Sequence, residues 1–235
     1  MNNTNNISAR ATYDQARQVL FDAWIKSFDS NVKDCWDWVN SRKFSQSEVR
    51  LEVGLNTTNT RFVFGVTPQQ ANSSNVVFTT ERRLDLQNSL VVSEYGIFVA
   101  QTSGNTDTTY VLNSYGNTQN FAAADAAALD STFYNNGYFR TMVNNDVIIP
   151  YRGLFNHWYK PQTQQTGPLG AGSPKDQLRG AEDGFITQEP NLLLIGSKNY
   201  LPEIVLLSAL ASAAANIRAV LIYRGVEAQN STVIN

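Results

Sequence analysis

Glu48-Val49-Arg50-Leu51-Glu52-Val53-Gly54-Leu55 sets Val49, Leu51, Val53 and Leu55 at every second position, with Glu48, Arg50 and Glu52 between them. Strand side chains point alternately to opposite faces, so this period of two is that of a half-buried β-strand. Further runs of strand character follow at Arg61–Val66, Val76–Thr80, Leu90–Ala100, Thr109–Ser114, Tyr138–Val143, Val147–Tyr151, Leu192–Ile195, Ile204–Leu207 and Ile217–Tyr223. Stretches rich in Gly, Pro and Asn separate them. About ten short strands this closely spaced leave no room for helical crossovers, so the expected product is an antiparallel sandwich or barrel.

Upstream of this stretch the pattern is helical. Tyr13, Ala16, Leu20, Ala23, Trp24 and Phe28 recur at three- and four-residue steps, with Asp14, Arg17, Asp22 and Lys26 between them. That spacing predicts an amphipathic helix beginning near Thr12. A second short helix after Asp29-Ser30 would carry Val32, Cys35, Trp36 and Val39 on one side. Residues 1–11 are polar and aperiodic and read as a mobile arm. The expected division is therefore an arm over 1–11, a helical segment over 12–44 and a β domain over 45–235.

Two stretches interrupt the β rhythm. Phe121–Leu129, FAAADAAAL, predicts a short helix in a crossover. Residues 162–184 form a long Gly- and Pro-rich loop expected on the surface. Ile204–Ile222 approaches the length of a membrane span. It holds Asn216 and Arg218, and an arginine at the bilayer centre costs roughly 2.5–3.5 kcal/mol. Two strands joined by an Ala-rich connection are the expected reading.

The chain has 235 residues, a formal net charge of −2, and only 16% charged residues. No general cationic field exists to hold nucleic acid, so contact with a genome would be local. The first six residues have neither a basic region nor an apolar core, so synthesis in the cytoplasm of the producing cell is expected. A single cysteine, Cys35, permits no internal disulfide. Asparagine occurs 25 times, and with the many Thr, Gln and Ser it gives a largely uncharged polar surface. Such a surface suits close packing against copies of itself, and it also occurs in sugar-binding proteins.

Catalytic groups are scarce. The lone histidine, His157, lies in an aromatic run, and a Cys35–His157 pair has nothing to orient it. One Cys and one His do not make a zinc site. The Gly167–Ser173 loop lacks the strand and the Lys-Ser/Thr of a phosphate-binding loop. Asp176, Glu182 and Asp183 read as an acidic turn. Paired carboxylates of a glycosidase are the one chemistry that spacing leaves open. No catalytic, cofactor or metal residues are therefore assigned, and the chain is not expected to be an enzyme. The remaining constellation is aromatic. Tyr151, Phe155, Trp158 and Tyr159 cluster between a strand end and the long loop, while Trp24, Phe28 and Trp36 lie on the helices. Core packing, contact between subunits and ligand stacking are the three accounts of these residues.

In Leu90–Gln101 (LVVSEYGIFVAQ), Tyr134–Arg140 (YNNGYFR), Leu192–Leu207 and Asn216–Gly225 (NIRAVLIYRG) the chain resembles jelly-roll capsid proteins of tailless bacteriophages. The likeness is one of strand spacing and terminal-strand character over about 140 residues. It implies a β-barrel in a virion shell that forms trimers or pentamers and contacts other capsid proteins. It also implies an arm and helix directed inward or toward neighbours, and in several such viruses an internal membrane below. Two barrels need about sixteen strands, so about ten favours a single barrel, as in a vertex or minor capsid component. The expected function is a virion structural protein acting by self-assembly. The alternatives are a carbohydrate- or receptor-binding sandwich of a phage fibre and, behind it, a glycoside hydrolase.

Overall fold

The structure is a computed structural model that describes residues 4–28, 31–144, 146–158, 163–165, 172–174, 184–214 and 216–232. Two helices, α1 (Thr4–Phe28) and α2 (Val32–Asn40), precede β1 (Phe44–Gly54), β2 (Arg61–Val63) and β3 (Ser89–Gln101). Helix α3 (Ala123–Ala128) runs into a π-helical turn over Leu129–Tyr134. Then come β4 (Gly137–Val143), β5 (Asp146–Gly153) and a 3-10 turn at Leu154–His157. The short strands β6 (Thr163–Gln165) and β7 (Gly172–Pro174) are followed by β8 (Phe185–Ile195), β9 (Tyr200–Leu206) and β10 (Ile217–Ala228).

Eight of these strands make two antiparallel four-stranded sheets. The first has the order β1-β10-β3-β8 and the second β2-β9-β4-β5, while β6 and β7 pair with each other within the long loop. Between the sheets lies the main core. Val49, Leu51 and Val53 of β1, Tyr95, Ile97 and Val99 of β3, and Leu221 and Tyr223 of β10 meet Phe62, Phe139, Ile149 and Ile204 of the second sheet. The alternation legible in Glu48–Leu55 is thus the inward face of β1.

The outward face of the first sheet is also buried. On one part of it α1 and α2 pack Ala16, Leu20, Phe21, Cys35 and Val39 against Val91, Ile195, Val226 and Ala228. On another part Phe98, Ala100, Val220 and Ile222 are covered by Tyr110, Leu112 and Phe185. Strands covered on both faces need apolar residues at successive positions rather than alternate ones. That is why Leu90–Ala100 and Ile217–Tyr223 read as continuous apolar runs. Ile204–Ile222 accordingly spans β9, a connection and the start of β10. Among the described residues no helix is long and apolar enough to cross a membrane.

Asn31 caps α2 by accepting a hydrogen bond from the Asp34 N–H at 2.9 Å. Substituting such a cap typically costs about 1 kcal/mol. Helix α1 begins at Thr4, so helical backbone extends into the segment read as an arm. At Gly225 the register of β10 shifts against β3, and a Cβ there would lie 1.9 Å from the Val91 carbonyl oxygen. Only glycine allows that approach.

Two expected strands are absent. Val76–Thr80 and Thr109–Ser114 are irregular, the second touching β3 only through a bridge between Val99 and Asn113. Their apolar residues serve as cover rather than as ladder. Phe78 lies under the Arg218 guanidinium at 4.2 Å, and Tyr110 packs on the outward face of the first sheet. A side chain reaching down to cover a sheet needs the same residue types as one standing within a sheet, so composition alone does not separate the two.

Beneath this cover lies a buried ionic cluster. Arg218 donates to Glu52 Oε2 at 2.9 Å, and both side chains are almost wholly excluded from solvent. Glu52 Oε1 accepts from Arg50 at 3.0 Å, Thr80 at 2.5 Å and Tyr110 at 2.6 Å. Burial pushes the Glu52 carboxyl up, but the hydrogen bonds from Thr80, Tyr110 and Arg218, with the nearby Arg50 charge, outweigh it and hold it below its ordinary value. Removing one partner of such a pair leaves an uncompensated buried charge. Arg218→Ala should therefore cost about 3–5 kcal/mol in urea unfolding, whereas Val77→Ala on the surface should stay within about 0.5 kcal/mol.

Candidate interaction surface

The inward residues of the second sheet include Phe62, Phe139 and Ile204, so their strand neighbours face away from the core. Register places Tyr138 beside Val205, Arg140 beside Glu203 and Met142 beside Leu201, with Arg61 and Val63 of β2 on the far side of β9. Among the described residues no element of the chain packs over this outward face as the helices do over the first sheet.

At its centre is Glu203, 0% exposed although it points away from the core. It is buried by its own partners. Arg140 Nε donates to Oε1 and Arg61 Nε to Oε2. The Arg140 guanidinium lies 4.7 Å from the Tyr151 ring centre, and Tyr151 meets Tyr138 edge-on at 6.3 Å. The result is one carboxylate and two guanidiniums in an aromatic and aliphatic surround.

Large exposed apolar side chains concentrate on this side. Ten occur among the described residues, and six of them, Tyr138, Val147, Tyr151, Phe155, Trp158 and Leu207, lie on the second sheet or at its ends. Such a concentration on one side is what distinguishes a contact surface from scattered exposure. Trp158 is fixed by an Nε1–H donated to Asp130 Oδ1 at 3.0 Å, and the same oxygen accepts from the Gly116 N–H at 2.6 Å.

Of the aromatic residues singled out from sequence, Tyr151, Phe155 and Trp158 fall in this region. Trp24 and Trp36 lie elsewhere. Trp24 stacks on Trp38 at 4.1 Å and Trp36 on Phe21 at 4.5 Å, within the packing of the helical pair on the first sheet. Tyr159 and the Phe28 side chain lie outside the described residues, as do Asp176, Glu182 and Asp183. The Arg61–Glu203–Arg140 group went unread, because its members come from three strands far apart in the chain. Its one signal is a single acid inside the apolar run Leu201–Leu207.

The groups weighed for catalysis are dispersed. Cys35 packs among the helices, where burial pushes its thiol up. His157 meets Tyr95 with the rings tilted and their centres 5.1 Å apart, beneath the first sheet. Glu48 and Glu94 line an open groove beside α1, where Arg224 binds both, at 3.0 and 3.5 Å. Among the described residues no group of three or more His, Cys, Asp or Glu is disposed to hold a metal. No protein-family model matches the chain, and no curated protein or solved structure does either.

His157 Nδ1–H donates to the Gly184 carbonyl at 3.1 Å, while Nε2 is buried without a hydrogen-bond partner among the described residues. Burial pushes its pKa down to about 4 and the Arg152 charge adds to this, against a smaller raising effect of the Gly184 bond. The folded state therefore disfavours the imidazolium. Its contribution to stability is complete above the unfolded pKa near 6.5 and is lost as pH falls from there to about 4. At about 1.4 kcal/mol per unit the loss is about 3 kcal/mol. Chemical unfolding at stepped pH should show this decline, and His157→Phe should flatten it between pH 6.5 and 4.

Proposed function

We propose that the chain is a virion structural protein, a capsid shell component built as a single jelly roll, that works by self-assembly. The observation that carries this reading is the strand order. β4 pairs with β5, β3 with β8, β2 with β9 and β1 with β10, the pairings of one long antiparallel ribbon. The further pairings of β10 with β3 and β9 with β4 join the ribbon into two four-stranded sheets. Wrapping a ribbon in this way is what makes a double-sheet jelly roll of eight strands. Eight core strands favour one barrel over two, consistent with a vertex or minor capsid component.

Work done by burying surface between identical copies needs a surface left free for it. The second sheet offers one among the described residues, and a chain with 16% charged residues brings few charges that contact would strip of water. Trimers or pentamers that contact other capsid proteins are the partners this reading implies, with a membrane or genome touched only locally. The N-terminal helical pair is then the element available to the shell interior or to neighbours. The location that follows is the virion, after synthesis in the host cytoplasm.

A second reading rests on Tyr151, Phe155 and Trp158, which are exposed at one end of the sheet as aromatic platforms for sugars are. The two readings separate cleanly. Sedimentation velocity and electron microscopy across a range of concentrations should yield rings, capsomers or shells. A monomer at every concentration and salt, together with specific binding on a glycan array, would replace the shell reading with the carbohydrate one.

A further inference from the structure

Resting on the self-assembly reading, we infer that His157 is an acid-sensitive latch on the aromatic end of the second sheet. A proton on its ring frees the turn Leu154–His157, which carries Phe155 and is followed by Trp158, and association through that end is lost while the sandwich stays folded.

The first argument is how the turn is held. Phe155 and Trp158 are exposed, and among the described residues the turn belongs to no ladder. Inward it is anchored by Leu154 and His157, 0% and 1% exposed, and beside them by the hydrogen bond from Trp158 to Asp130. His157 reaches from the end of β5 to the start of β8, where its Nδ1–H meets the Gly184 carbonyl. Gly184 has a φ of +90°, and a Cβ there would lie 2.7 Å from the Phe98 ring, so only glycine presents its carbonyl in this way. A turn held by so few anchors opens at a lower free energy than strands bonded on both sides, such as β3 and β10.

The second argument is what surrounds the ring. The turn packs against β3, β4, β8 and the π-helical turn. From β3 comes Tyr95, whose ring meets the imidazole and whose hydroxyl accepts from Arg152 Nη1 of β5 at 3.4 Å. Glu94, next to Tyr95, is bound by Arg224 in the groove beside α1. Arg140 and Tyr138 of β4 face outward, and Glu189 of β8 is exposed. On the π-helical turn Asp130 accepts from Trp158 and Gly116, while Tyr134 donates to the Asn113 carbonyl. The charge that acts on the imidazole is therefore the cation Arg152, and among the described residues no acceptor meets Nε2. An imidazolium keeps the Gly184 bond but buries a second N–H and a charge with nothing to receive them. Moving the ring into water relieves both, and Phe155 and Trp158 move with it. The closed latch holds the neutral ring, so release comes as pH falls from about 6.5 toward about 4.

The experiment is sedimentation of full-length wild type, His157→Gln and Arg152→Gln between pH 7 and 4.5, with amide exchange at both ends of the range scaled for intrinsic rates. Glutamine at 157 keeps a neutral donor for Gly184 and does not titrate, glutamine at 152 keeps a donor for Tyr95, and unchanged thermal midpoints at pH 7 establish folding. The expected result is wild-type association weakened about tenfold at pH 4.5 and restored at pH 7. Protection should be lost in peptides of Arg152–Trp158 and kept in β1 and β10. His157→Gln should keep its association at pH 4.5, and Arg152→Gln should release at a higher pH than wild type, because a cation has been taken from beside the ring. Wild-type association that ignores acid, an acid loss that persists in His157→Gln, or a loss of protection shared by β1 and β10 would overturn the latch and leave self-assembly standing. Wild type that associates at no pH would overturn both.

Discussion

The position of β10 constrains everything else. It lies between β1 and β3, bonded along its length to both, and it is apolar toward both sides. A strand buried on two faces requires a layer above it as well as a layer below. The second sheet supplies one layer. The other comes from outside the sandwich, as α1 and α2 over Val226 and Ala228 and as Tyr110 and Leu112 over Val220 and Ile222, with Phe185 of the neighbouring β8 beside them.

The buried Glu52–Arg218 pair belongs to the same constraint. Arg218 sits on β10 where the cover closes, and water cannot reach it, so its charge is met by Glu52 and by the Gly104 carbonyl. Buried pairs are weak contributors to net stability but costly to break. Thr80 and Tyr110 also bind Glu52, and both belong to the covering segments, so the cluster fixes where that irregular chain lies. Glu203 is met in a comparable way by Arg61 and Arg140, but on a face left bare among the described residues. The two acids show the two conditions of the sandwich among the described residues, one sheet covered on its outer face and one not.

Much of this could be read from the residues, and the failures have a physical pattern. Val49, Leu51 and Val53 announce their strand because it has one core face and one charged face. The alanines of Phe121–Leu129 announce α3 because little but helix propensity acts on them. Phe78, Tyr110 and Leu112 misled because covering a sheet and standing in it demand the same residue types. Arg61, Arg140 and Glu203 could not be found, since only strand register brings them together. For Trp24 and Trp36 the sequence leaves the choice open, since an aromatic on a helix reads alike whether it meets its own chain or another; each stacks on a ring of the helical pair and stays partly exposed.

On the self-assembly reading, the outward face of the second sheet, bare among the described residues, is the face open to other copies, while the first sheet is covered by helices and loops of its own chain. Amide hydrogen exchange of dilute against assembled protein tests it most directly. The account predicts slowed exchange in peptides of β4, β5 and β9 on assembly, with those of α1, α2 and β10 unchanged. Slowed exchange confined to α1 and α2, with β5 and β9 exchanging as in the dilute protein, would contradict it.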